Sequence, residues 1–129
     1  MNERIDIQVP GTARAPQSAR QFLRAALRDW ALDGFGYVTE LLADELVSNS
    51  VRHVGGPIGL SAIRLPGAIR VEVRDESAAL PVVVRAGADA PRGRGLQIVD
   101  GLAHRWGIEP DGAGKTVWFE LDVPGRKTP

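Results

Sequence analysis

The spacing of apolar residues along the chain switches between two and three-to-four, and each switch marks a new element. Ile5, Ile7 and Val9 alternate with polar neighbours and run into Pro10-Gly11, which predicts a short strand over 5–9 closed by a turn. From Pro16 onward Ala19, Phe22, Leu23, Ala26, Leu27, Trp30 and Ala31 recur at helical spacing, so a first helix is expected to stop at Asp33-Gly34. A second helix, about 37–53, ends at Gly55-Gly56. Ala43, Leu46, Val47, Ser50, Val51 and Val54 form its packing stripe, while Glu45, Asn49 and Arg52 stack on the other side, following Val38, Leu41 and Leu42.

Two strands, 58–65 and 68–75, come next, joined by Pro66-Gly67 in the order a type II turn prefers. Residues 76–95 are rich in Gly, Ala and Pro with little periodicity, and an unpatterned connection of that length in a small domain points to a functional segment, here a lid over about 82–94. Leu96, Val99, Leu102 and Ala103 mark a short helix, followed by a strand around 104–109, a glycine-rich turn and a last strand over 116–121, with 122–129 as a tail. Helices early and strands mostly late predict an α+β fold, a two-layer sandwich with helices on one face of a mixed, largely antiparallel sheet.

Length and charge narrow the partners. A chain of 129 residues is one domain with room for a core, and 16 basic against 16 acidic side chains give no electrostatic pull toward nucleic acid or an anionic membrane. The absence of cysteine excludes a thiolate site and disulfides. His53 and His104 fit no metal-ligand or triad spacing and read as surface or helix-end residues. With no signal-peptide pattern and no long apolar run, the expected location is cytoplasmic.

The candidate chemistry lies in four short stretches. Glu45 and Asn49 stand one helical turn apart, either as part of a solvated face or as a carboxylate and a carboxamide flooring a pocket. Asp75 shares the parity of Ile69, Val71 and Val73 in its strand, so it faces inward. There it either caps the following turn through the backbone or accepts a hydrogen bond from a ligand amino group such as that of adenine. Gly93 and Gly95 open a helix whose free N–H groups suit phosphate, with Arg92 and Arg94 adding charge. "GAGKT" (112–116) is not a P-loop, because Glu109 stands where a glycine is needed and a strand pattern follows Lys115-Thr116.

Taken in order, "ELVSNSVRH", "DESAALP", "GRGLQIVDGLAHRWG" and "GAGKTVWFEL" resemble the four motifs of the GHKL, or Bergerat-fold, ATP-binding domain found in gyrase, histidine kinases and mismatch-repair proteins. The resemblance spans about 15–121 within a single domain of 1–129, and is greatest to the small bacterial anti-sigma factors that are also serine-protein kinases. It implies ATP and Mg²⁺ as ligands. By it, Asn49 would hold the metal, Glu45 would activate the attacking hydroxyl, and Asp75 would receive adenine in preference to guanine, whose carbonyl it would oppose. Ser77, Gly93, Arg94, Gly95, Leu96 and Thr116 would complete the nucleotide site.

Two departures stand out: Ser77 where relatives usually have glycine, and Lys115 where many have threonine, with Thr116 expected to point to the opposite face of its strand. The activity implied is a serine/threonine-protein kinase that acts on a small antagonist protein and serves as an anti-sigma factor, with protein partners, no direct nucleic acid or membrane contact, and a homodimer at rest. The alternative is a nucleotide-gated protein-binding module without phosphotransfer.

Overall fold

The computed structural model describes residues 3–77 and 94–124. They form β1 (Glu3–Val9), α1 (Ala15–Asp29), a 3₁₀ turn (Asp33–Phe35), α2 (Gly36–His53), β2 (Ile58–Leu65), β3 (Ala68–Asp75), α3 (Arg94–Leu102), β4 (Arg105–Asp111) and β5 (Gly114–Asp122). The sheet runs β1-β2-β3-β5-β4, and every neighbouring pair among the described strands is antiparallel, so the expected parallel component is absent from them. Three helices cover one face. α1 lies on β1 and β2, α2 on β3, and α3 bridges α2 and β4. The result is the α+β two-layer sandwich that the order of helical and alternating segments predicted.

Strand parity decides what lies between the layers. Pairing of Ala62 with Val71 and of Val71 with Phe119 sets the inward residues: Leu60 and Ala62 on β2, Ile69, Val71 and Val73 on β3, and Val117, Phe119 and Leu121 on β5. They meet Leu23, Ala26 and Leu27 of α1 and Leu42, Ala43, Leu46 and Val47 of α2 in one continuous core. Burying each large side chain contributes about 1.5–3 kcal/mol, which is how a chain without disulfides holds its fold. Leu42, expected on the polar side of α2, belongs to this core and is fully buried.

α1 ends earlier than its apolar spacing suggested. Ala31 takes the left-handed region at φ 57°, its N–H donates to the Arg28 carbonyl, and the Leu32 N–H donates to the Leu27 carbonyl. That is a Schellman stop, built on an alanine where glycine is usual. Trp30 therefore caps the helix instead of continuing it, and its Nε1 donates to Glu3 at 3.0 Å. Gly67, at φ 79°, supplies the conformation that the third position of the expected type II turn requires. No described helix is long and apolar enough to cross a membrane. The expected lid over 82–94 lies outside the described residues except for Arg94, as does the tail from 125 onward.

Candidate nucleotide site

Antiparallel register places the last residue of β3 opposite the second residue of β5, so Asp75 pairs with Lys115. Both side chains point inward under α2, where burial leaves Asp75 only 4% and Lys115 only 7% exposed. The Lys115 Nζ lies 2.8 Å from Asp75 Oδ1 and 3.1 Å from Oδ2. The Ser50 hydroxyl, reaching across from α2, donates to Oδ2 at 2.8 Å, and the Ser77 backbone N–H donates to Oδ1 at 3.0 Å. An unpaired carboxylate so placed would cost several kcal/mol. Here it accepts from a cation, a hydroxyl and an amide.

Gly114 makes that meeting possible. A Cβ on it would lie 2.2 Å from the Asp75 carbonyl oxygen and 3.2 Å from the Glu76 Cα, so only glycine lets the start of β5 run against the end of β3. The same pairing puts Thr116 beside Arg74 on the opposite face, as strand parity required, and the residue sharing Asp75's side is Lys115. Sequence reasoning assigned Asp75 either to a backbone turn or to a ligand. The Ser77 N–H bond establishes the first role, and it leaves the second to depend on Lys115.

α2 connects this cluster to the other candidate residues. Glu45 and Asn49 lie one turn apart and are half-buried, and Ser50 follows Asn49 directly. Glu45 has no hydrogen-bond or ion-pair partner among the described residues. Asn49 Oδ1 accepts from the Arg52 guanidinium, so this carbonyl oxygen already faces a cation. A metal ion at this oxygen would first have to displace the Arg52 guanidinium, so the contact itself gives Mg²⁺ no support. Among the described residues no group of three His, Cys, Asp or Glu side chains could hold a metal unaided.

Arg94, Gly95 and Leu96 form the opening of α3, which packs on α2; Gly93 lies outside the described residues. The free amide N–H groups of such a first turn are donors for phosphate oxygens. The "GAGKT" stretch makes the β4–β5 turn and then enters β5, with Gly112 at φ 62° and no helix following. Of the two histidines, His53 lies exposed at the end of α2, and His104 accepts from the Asp122 N–H through Nδ1 at 3.0 Å.

Sequence reasoning missed Ser50 and Lys115 as partners of Asp75. The signals were present as polar residues in apolar series: Ser50 in the buried stripe of α2, and Lys115 in the inward series with Val117, Phe119 and Leu121. A search of curated proteins gave no match to this chain. A profile of the histidine kinase-like ATPase domain matches residues 9–121, from the end of β1 nearly to the end of β5. That match takes in every described element of the site, and the chain belongs to the histidine kinase-like ATPase domain family, whose members bind ATP.

Proposed function

We propose that the protein is a serine/threonine-protein kinase of the partner-switching kind: it binds ATP with Mg²⁺, phosphorylates a small antagonist protein, and holds a sigma factor when the antagonist is absent. The observation that carries this reading is α2 itself. On one helix it presents Ser50 to the buried Asp75 carboxylate and, a turn away, Glu45, which has no partner among the described residues, one turn from Asn49. Asp75 would mark the base end of the nucleotide, and Asn49 with the opening of α3 the phosphate end.

In the transfer, the acceptor hydroxyl of the partner loses its proton to Glu45, its oxygen bonds to the γ-phosphorus, and the bond to the β-γ bridging oxygen breaks to release ADP. Mg²⁺, held by Asn49 and the phosphates, would neutralise charge on the phosphoryl group. Glu45 suits the task because it is half-buried and engages no cation among the described residues.

Transfer of labelled γ-phosphate to a copurified partner tests the proposal. Glu45→Ala should retain ATP binding yet slow transfer by roughly 10²–10⁴, the usual contribution of a general base. Asn49→Ala should weaken Mg²⁺-dependent binding. A wild type that binds ATP and a partner but transfers nothing would leave the nucleotide-gated binding module, which the retention of Glu45 argues against. The homodimer expected by resemblance is checked by light scattering; a monomer would remove it without affecting the ATP site.

A further inference from the structure

The geometry points to Lys115 as a base-reading residue: with Asp75 it offers the purine an acceptor beside a cationic donor, so the site admits 6-oxopurine nucleotides as well as those of adenine. This rests on the nucleotide-binding reading above.

A carboxylate alone can only accept. It matches the amino group of adenine and opposes the 6-carbonyl of hypoxanthine or guanine, which is why Asp75 by itself implies discrimination against them. Lys115 changes that chemistry. Its ammonium has three N–H groups, and its contacts are the two Asp75 oxygens at 2.8 and 3.1 Å and the Ser77 carbonyl at 3.5 Å. The last contact is at the outer limit of a hydrogen bond, so the hydrogen directed there is the one most cheaply given to a base.

Asp75 needs a similar adjustment. Its two oxygens already take four contacts, filling the roughly four lone-pair positions of a carboxylate. The Ser77 N–H is fixed by the turn and Ser50 by α2. Only Lys115 sits on a long flexible stem, and it touches both oxygens. By giving up the 3.1 Å contact to Oδ2 it frees an acceptor position without leaving Asp75. An adenine edge would then donate its amino N–H to the carboxylate, a contact it keeps with or without the ammonium. A hypoxanthine edge would accept at its carbonyl from the ammonium and donate its N1–H to the carboxylate. Adenine thus needs only the carboxylate, whereas hypoxanthine needs the ammonium as well.

The test is displacement of a fluorescent ATP analogue by ATP and by inosine triphosphate, with Mg²⁺ present. In the wild type inosine triphosphate should bind within about tenfold of ATP. Lys115→Met should widen that ratio by a further roughly 10- to 100-fold, the range for one hydrogen bond to a charged donor. Lys115→Gln, which keeps an N–H donor on a stem one bond shorter, should widen it less. A wild type that binds ATP but rejects inosine triphosphate by more than about 100-fold overturns the inference and leaves the ATP site intact. An unchanged ratio in a folded Lys115→Met does the same. Failure of the wild type to bind either nucleotide overturns the nucleotide-binding reading and this inference together. Because the wild-type ratio requires no variant, the inference can be refuted even if Lys115→Met does not fold.

Discussion

The two faces of the sheet carry ion pairs of the same chemical kind under different conditions. On the inner face, Lys115 and Asp75 are buried beneath α2, where their other partners among the described residues are the Ser50 hydroxyl and the Ser77 backbone. On the outer face a ladder joins residues of four strands across the whole five-stranded sheet: Arg4 to Asp6 and Glu72, Arg70 to Glu72 and Glu120, and Arg105 to Glu120 and Asp122. Arg70 also lies 4.1 Å from the centre of the Trp118 ring. The inner pair has one cation and one anion and loses everything if either is removed. The outer ladder has several of each, most of them open to water, so the loss of one is shared by its neighbours and screened. The difference shows where a charge specifies the site and where it mainly keeps an open sheet face soluble.

The largest expected effect tests that contrast directly. Lys115→Met leaves the Asp75 carboxylate buried without its cation, and breaking such a pair costs about 3–5 kcal/mol. Replacing both partners, as Lys115→Met with Asp75→Asn, should return most of the loss, because the carboxamide oxygen can accept from the Ser77 N–H while its NH2 donates to the Ser50 hydroxyl oxygen, with no net charge. Urea unfolding of the wild type, the single variant and the double variant measures the coupling. A single variant within about 1 kcal/mol of wild type would mean that water reaches Asp75, and the contrast between the faces would disappear.

Gly114→Ala is the next largest. Its Cβ would meet the Asp75 carbonyl oxygen, a backbone atom that cannot rotate away, so β5 must shift from β3 where Lys115 meets Asp75. Overpacking of this kind costs about 1–3 kcal/mol. ATP affinity should fall with it, whereas the outer ladder, several residues further along β5, should be untouched. Calorimetry with ATP and unfolding by urea separate the two effects. Unchanged affinity with lowered stability would show that the end of β3 does not contact the nucleotide.

These inner contacts were also the least legible part of the sequence. Parity placed Asp75 inside and Thr116 outside, and the type II turn and the hairpin followed from Pro66-Gly67. Periodicity found α2 because its apolar stripe is physically required for packing. Nothing in periodicity says which polar residue interrupting a stripe will meet another one from a distant strand. Ser50 and Asp75 are 25 positions apart, and Lys115 and Asp75 are 40 apart, so only the sheet register brings them together. The end of α1 was misread for a different reason. Ala31 continues the apolar spacing, yet its backbone is left-handed, and a side-chain pattern carries no information on φ.

The smallest effect belongs to the outer ladder, and it is best read through pH. Partial burial pushes the Glu120 carboxyl upward, but hydrogen bonds and charge from Arg105 and Arg70 outweigh it and hold the group below its usual value of 4.5. Asp122, bonded to Arg105, and Asp6, bonded to Ser61 and Arg4, are lowered in the same sense. A carboxyl whose folded pKa is depressed stabilises the fold above its unfolded value, and that contribution is lost as pH falls through the folded one. The ladder should therefore weaken as the solution is acidified below about pH 4.5, the ordinary value for Glu120. Glu120→Gln should lower the urea midpoint slightly at neutral pH and flatten its decline in acid, and added salt should shrink the difference between the two proteins. If the variant and the wild type lose stability in parallel across the acid range, Glu120 is titrating as it would in an unfolded chain, and Arg70 owes its position to the Trp118 ring instead.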